Sequence, residues 1–152
     1  GLTTSERIDL FLGVCSGVEH AHARGLIHRD LKPSNVLVVE QDGVPLPKII
    51  DFGIARVLAA GEGEPGSRPT LAGQVFGTPE YMAPEQVDPR SHDVDIRSDI
   101  YSLGIILFEL VAGALPFDLS RYRAGGVQDL HKFLRESPVP LPSSRVAAKK
   151  KV

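Results

Sequence analysis

Apolar residues near the start of the chain recur at helical spacing. Ile8, Phe11, Leu12, Cys15 and Val18 fall on one face. Thr3 and Glu6 have capping-box spacing just ahead of that run, and Gly25 stands where a helix would stop. The pattern predicts a long amphipathic helix over residues 4–24. Cys15 lies on its buried stripe and reads as core packing, not as a nucleophile. After Gly25 the texture changes. Ile27–His28 reads as a short extended piece, and Val36 to Val39, rich in β-branched residues, reads as a strand. Asp42-Gly43 is a turn signal and Lys48 to Ile50 a second strand, so residues 36–50 are predicted to form a hairpin. Residues 51–80 hold Gly61, Gly63, Pro65, Gly66, Pro69, Gly73 and Gly77 and read as one long loop. Loops of that length are usually functional or disordered. Helical spacing returns at 96–112, where Ile100, Leu103, Leu107 and Val111 are predicted to share one buried face. Gly113 ends that helix and Pro116 prevents its continuation. A weaker helix is predicted over 127–135. From Ser137 onward, Pro138, Pro140 and Pro142 with serines and a basic end predict an extended tail or linker over 137–152. The fold class that follows is mainly α with a small β-hairpin.

Composition narrows the class. At 152 residues, 42% hydrophobic and 24% charged, the chain has the make-up of one globular domain with a core. A net charge of −2 gives no electrostatic footprint for nucleic acid, and the run Lys149 to Lys151 reads as a solvated tail. A single cysteine excludes an intrachain disulfide and a multi-cysteine metal site, and is compatible with a reducing compartment. No apolar run approaches the ~18–20 residues of a membrane helix. The longest candidate, Ile105 to Phe108, is stopped by Glu109. No signal peptide is visible and the chain begins with Gly1, which predicts a segment or a processed product. The expected setting is cytoplasmic, with membrane anchoring of the full-length protein through other regions left open.

Three blocks carry the chemistry. The first is His28-Arg29-Asp30-Leu31-Lys32-Pro33-Ser34-Asn35. The second is Asp51-Phe52-Gly53, and the third is Gly77-Thr78-Pro79-Glu80-Tyr81-Met82-Ala83-Pro84-Glu85. In this order and spacing, with a strand–turn–strand between the first two, they resemble eukaryotic-type serine/threonine protein kinases, especially the bacterial members. The resemblance covers roughly residues 5–135. It implies transfer of the ATP γ-phosphate to Ser or Thr of protein substrates, with ATP and Mg²⁺ as cofactors. It also divides the chain into a partial kinase domain at 1–136, of large-lobe type, and the tail at 137–152.

Phosphoryl transfer asks mainly for positioning and charge neutralisation. By the resemblance, Asp30 accepts the proton of the attacking alcohol. Lys32 places positive charge near the transferring phosphate and marks the serine/threonine branch. Asn35 and Asp51 supply the hard oxygens that magnesium prefers. Thr78 matches a threonine near the substrate hydroxyl. Phe52 packs beneath the site, Gly53 lets the backbone turn after the metal ligand, and His28 supports the loop instead of acting as a base. Asp99, at the start of the 96–112 helix, anchors the catalytic-loop backbone; a helix dipole would also favour an acid there. Arg29 would receive a phosphate from the activation loop, with Ser67 and Thr70 as the candidate acceptors, ordering residues 54–76. Glu85 matches a glutamate that pairs with an arginine much later in the family's chain. Arg145 lacks the context for that role, and an unpaired group of this kind costs ~3–5 kcal/mol.

Other signals do not add sites. Gly61 to Gly66 satisfies G-x-G-x-x-G, but no strand precedes it, no convincing helix follows, and Glu62 and Glu64 would repel phosphates. It reads as flexible loop. His20, His22, His92 and His131 lack supported metal-ligand spacing, and His20 and His22, two apart on a helix, do not face each other. The family's glycine-rich phosphate loop, its strand lysine, the glutamate helix paired with that lysine and the adenine-recognising hinge do not occur before His28. The expectation is a large-lobe fragment, inactive alone, whose small lobe the full-length protein supplies. Surfaces facing that lobe and the final helices should be exposed, apolar and prone to association. A catalytically silent, truncated interaction module is the alternative. A small-molecule phosphotransferase is disfavoured by Lys32 and the Gly77–Glu85 block.

Overall fold

The computed structural model describes residues 2–52, 78–88, 94–122 and 126–149. Gly53, Ser67, Thr70, Gly77, His92, the Gly61–Gly66 segment and the proposed ordering of 54–76 lie outside the described residues. The elements are α1 (Thr4–His22), β1 (Val36–Gln41), β2 (Val44–Ile49), α2 (Pro84–Val87), α3 (Ile96–Ala112), α4 (Val127–Glu136) and α5 (Pro142–Lys149). Single 3-10 turns occur at Pro33–Asn35, Pro79–Tyr81 and Ser120–Tyr122.

The expected capping box starts α1. Thr3 Oγ1 accepts the Glu6 N–H at 3.3 Å, and the Glu6 carboxylate takes the Thr3 N–H at 2.7 Å. That bond holds the Glu6 carboxyl below its usual range. The buried stripe is shifted from the predicted one. It runs through Val14, Val18 and Ala21, while Leu12 is 56% exposed. The cause is the approach of β2. A Cβ at Gly13 would lie 2.7 Å from Pro47 Cγ, and one at Gly17 3.0 Å from Ile49 Cδ1. Two glycines, invisible to a hydrophobic count, set the packed side. Cys15 is half-buried against the core and burial pushes its thiol up, in keeping with packing.

The hairpin forms as expected, with Val36 opposite Ile49 and Gln41 opposite Val44. Asp42 (φ 53) and Gly43 (φ 77) make the two-residue turn, whose two positive φ angles match the type that fits strand twist. Pro45 and Pro47 have no N–H to donate, so they occupy pairs that exchange no hydrogen bond with β1. Ile27–His28, expected as a short extended piece, pairs with no strand among the described residues.

α3 has the predicted bounds. Asp95 caps its start by accepting the Arg97 N–H at 2.8 Å, and Gly113 ends it. Its burial differs from the prediction. Leu103 is buried, but Ile100 and Val111 are exposed, whereas Ser98, Asp99 and Ser102 are buried. Its first turns face polar backbone, so polar residues take the interior positions there. One core cluster joins Val14, Val18, Leu31, Leu103 and Ile106. A second joins Met82, Val87, Leu119, Leu130 and Leu134 around the ring contacts of Phe133 with Phe117 and Tyr122. α4 realises the weaker predicted helix, one residue longer.

The extended tail is corrected in part. Residues from Pro142 form α5, which packs on α3. A proline is compatible with the first turn of a helix, where its missing N–H has no intrahelical partner, so Pro142 opens an element that the proline pattern hid. Arg145 donates from Nε to the Pro116 carbonyl at 3.2 Å, with a second bond from Nη2 to the same oxygen.

Candidate active site

The loop between α1 and β1 is held by one buried carboxylate. Asp99, 1% exposed, accepts the His28 N–H at 2.8 Å through Oδ2 and the Arg29 N–H at 2.8 Å through Oδ1. His22 Nε2 lies 2.7 Å from the same Oδ2. Three nitrogen groups thus satisfy a group that would be costly to bury alone. Asp99 is the residue for which the resemblance implied a hold on the loop backbone. His22 was missed, since its partner lies 77 residues away and no local spacing signals it.

His28 is buried with both ring nitrogens engaged. Nδ1 accepts the Asp30 N–H at 3.3 Å, which leaves Nε2 to donate to the Ile50 carbonyl at 3.0 Å. Its ring meets Phe52 with centroids 4.8 Å apart. The Asp30 side chain, 32% exposed, receives Lys32 Nζ at 2.8 Å and Asn35 Nδ2 at 3.4 Å on Oδ2. Asn35 is buried and also donates to the Asp30 carbonyl at 2.8 Å. Its own carbonyl accepts the Ile50 N–H at 2.9 Å. That bond, with the Val36–Ile49 pair, sets Asn35 and exposed Asp51 on either side of the hairpin's open end. Arg29 (φ 65) and Asp51 (φ 56) are non-glycine residues in the left-handed region. Such strain persists where neighbours over-determine it.

The segment 78–88 hangs on α3. Ser98 Oγ donates to Glu85 at 2.7 Å, Ser102 Oγ donates to the Tyr81 carbonyl at 2.8 Å, and Tyr81 Oη donates to Glu109 at 2.6 Å. Burial first, and then the Glu109 bond, push the Tyr81 phenol well above its ordinary value. Glu85 therefore has a hydroxyl partner in Ser98, which corrects the expectation of an unpaired group; Arg145 is engaged at Pro116 instead. Thr78 precedes the Pro79–Tyr81 turn. Among the described residues it makes no hydrogen bond to Asp30 or Lys32. Gln86, another residue the sequence reading missed, is buried and donates to the Arg29 carbonyl. Gln86 stands three residues after Ala83, whose N–H its side chain accepts, but alanine at the cap position gave no capping-box signal. Among the described residues, no three His, Cys, Asp or Glu side chains converge as a metal cluster.

The sequence matches the protein kinase domain family over residues 1–148. The chain belongs to the protein kinase family. This kinase sequence is 48% identical over 106 residues to the serine/threonine-protein kinase Pkn1 of Myxococcus xanthus, covering 69% of the chain and 14% of that protein. It is 39% identical over 140 residues to the serine/threonine-protein kinase PknB of Mycolicibacterium smegmatis, covering 92% of the chain and 20% of the relative. A third relative, the serine/threonine-protein kinase pkn3 of Myxococcus xanthus, is 43% identical over 128 residues, 84% of this chain and 22% of its own length. The kinase chain thus spans about a fifth or less of each of these proteins. Its fold is that of a kinase-domain portion, helical with one two-stranded antiparallel sheet.

Proposed function

We propose that the intact protein transfers the ATP γ-phosphate to Ser or Thr hydroxyls of protein substrates, and that this chain is the catalytic part of its large lobe. The observation that carries the reading is the grouping of Asp30, Lys32 and Asn35 on one strained loop, with Asp51 beside Asn35 at the hairpin end. Asp30 is open enough to meet a substrate alcohol, and its carboxylate is oriented by Lys32 and Asn35. In our reading it accepts the alcohol proton as the new bond to phosphorus forms and the bond from the γ-phosphorus to the bridging oxygen breaks, releasing ADP. Lys32 then offsets charge at the transferring group.

An amide oxygen at Asn35 and a carboxylate at Asp51 are a hard donor pair, and they fit magnesium with bound nucleotide. Bound Mg²⁺ would neutralise charge on the nucleotide phosphates. Thr78 would help to orient the substrate hydroxyl. Phe52 against His28, and His28 against Ile50, support the loop from below. Ser67 or Thr70 would carry a phosphate that Arg29 receives. The small lobe would come from the remainder of the full-length protein, and the catalytic part would work in the cytoplasm. Among the described residues no helix is long and apolar enough to cross a membrane.

The test is Mg-ATP phosphorylation of a generic protein substrate by the full-length protein, its Asp30→Asn variant and residues 1–152 alone. Transfer by the full-length protein alone is the expected result. A full-length protein without activity, Asp30 intact, would establish the silent-module alternative. Equal activity of the 1–152 chain would overturn the fragment reading.

A further inference from the structure

Arg29 is the residue on whose backbone Asp30 depends, and its φ of 65° is one that a side chain rarely adopts. Its peptide groups are gripped from two sides. On the amide side, Asp99 of α3 accepts the Arg29 N–H at 2.8 Å. On the carbonyl side, Gln86 of α2 donates from Nε2. Gln86 is 7% exposed, and its Oε1 accepts the Ala83 N–H at 2.9 Å. The Ala83 N–H can only give and the Arg29 carbonyl can only accept. One orientation of the amide therefore serves both.

We propose that Gln86 is a positioning residue for phosphoryl transfer, setting the Arg29–Asp30 peptide from the 78–88 segment. The proposal rests on reading Asp30 as the proton acceptor. Asp99 ties the loop to α3, whereas Gln86 ties it to the segment that carries Thr78 and Tyr81. Through that one amide, the placement of the 78–88 segment fixes the backbone directly preceding Asp30. Small displacements of a reacting group are enough to matter, since a misplacement of about 1 Å can lower a rate ~100-fold.

The test uses the full-length protein with Gln86→Met, Gln86→Glu and Asp30→Asn. Methionine keeps the volume and loses both bonds. Glutamate keeps an acceptor for Ala83 but, when ionised, turns an oxygen toward the Arg29 carbonyl. Both Gln86 variants should lower kcat by ~10-fold or more with KM for ATP within about two-fold. Amide exchange across 28–31 should accelerate, while amides of α1 keep their protection and report intact folding. The glutamate variant has a further readout that a merely structural role would not move. Its carboxyl would occupy a position only 7% exposed, against the Arg29 carbonyl, and both favour the neutral acid. Once protonated it regains a donor for Arg29. Its kcat relative to the parent should therefore recover as pH falls from ~8 toward ~6, and that of the methionine variant should not.

Parent-like kcat in both Gln86 variants, or unchanged exchange at 28–31, would overturn the proposal. If methionine unfolds the protein, the glutamate variant and its pH profile decide. Full activity in Asp30→Asn would remove the catalytic reading, and the positioning role with it. That failure is distinguishable, because exchange at 28–31 would still rise in the Gln86 variants.

Discussion

The loop His28–Asn35 and the hairpin Val36–Ile49 adjoin in the chain and are stabilised in opposite ways. The loop is held by directional bonds to buried groups: Asp99 on its amides, Gln86 on the Arg29 carbonyl, Asn35 across to Asp30. Its shape belongs to the chain itself. The hairpin leans on α1 through Pro47 and Ile49 but leaves Leu37, Val38, Val39 and Val44 exposed. Leu37 and Val39 share one face; Val36 and Val38 share the other and line a cavity of about 510 Å³ with Phe11, Tyr81 and Leu110. Apolar surface on both sides of a two-stranded sheet asks for covering material on both sides. The loop that carries Asp30 is thus preformed, while the adjoining strands gain their remaining stability from whatever packs against them.

The sharpest way to break this contrast is Asp99→Ala. It strands the His28 and Arg29 amides in the interior, and should cost about 3–5 kcal/mol in urea denaturation. Activity of the full-length protein should fall with it. Gly13→Ala attacks the other region. The new methyl meets Pro47 Cγ at 2.7 Å, so overpacking should cost about 1–3 kcal/mol. Exchange should accelerate across 36–49 while 28–31 stays protected. Equal acceleration in both stretches would erase the distinction.

Tyr81→Phe removes the bond to Glu109 and should cost about 1 kcal/mol. It also has a pH signature. A phenol whose folded pKa is raised keeps its proton when the unfolded one has lost it, so stability is constant below the ordinary tyrosine value of 10.0 and falls above it. Tyr101 contributes in the same direction, through burial and then Glu85. The Tyr81→Phe protein should therefore show a shallower decline of the urea midpoint above that pH. An identical decline would place the effect elsewhere. The smallest effect is expected at Val44→Thr, 63% exposed on the hairpin. In the 1–152 chain it should change stability by less than about 0.5 kcal/mol.

Much of this organisation was legible, for reasons that differ by element. α3 was readable to the residue from its helical spacing and from Gly113 at its end. The hairpin was readable from Asp42-Gly43. His28, Asp30, Lys32 and Asn35 stand close in the chain, so one local fold brings them together, and the hairpin returns the residue before Asp51 to the Asn35 carbonyl. What escaped lacked a local or hydrophobic signal. Gly13 and Gly17 determine the packed side of α1 by absence of side chain. Ser98 and Ser102 are polar yet interior because they serve carboxylate and backbone partners. His22 finds its partner across 77 residues. Pro142 opens a helix that its alternation with Pro138 and Pro140 disguised.

The prolines of β2 have one more consequence, for growth of assemblies. The inward positions of β2 are Val44, Leu46 and Lys48, so Pro45 and Pro47 lie where an N–H would point to the far edge. That edge offers no donor at two of its three outward positions, and a further strand cannot add there. Among the described residues, only the outer edge of β1 is left to template another strand. Two such hairpins joined along β1 would form four strands with proline-blocked rims on both sides. Edge-to-edge association through this hairpin therefore ends at a pair and does not propagate into a fibre.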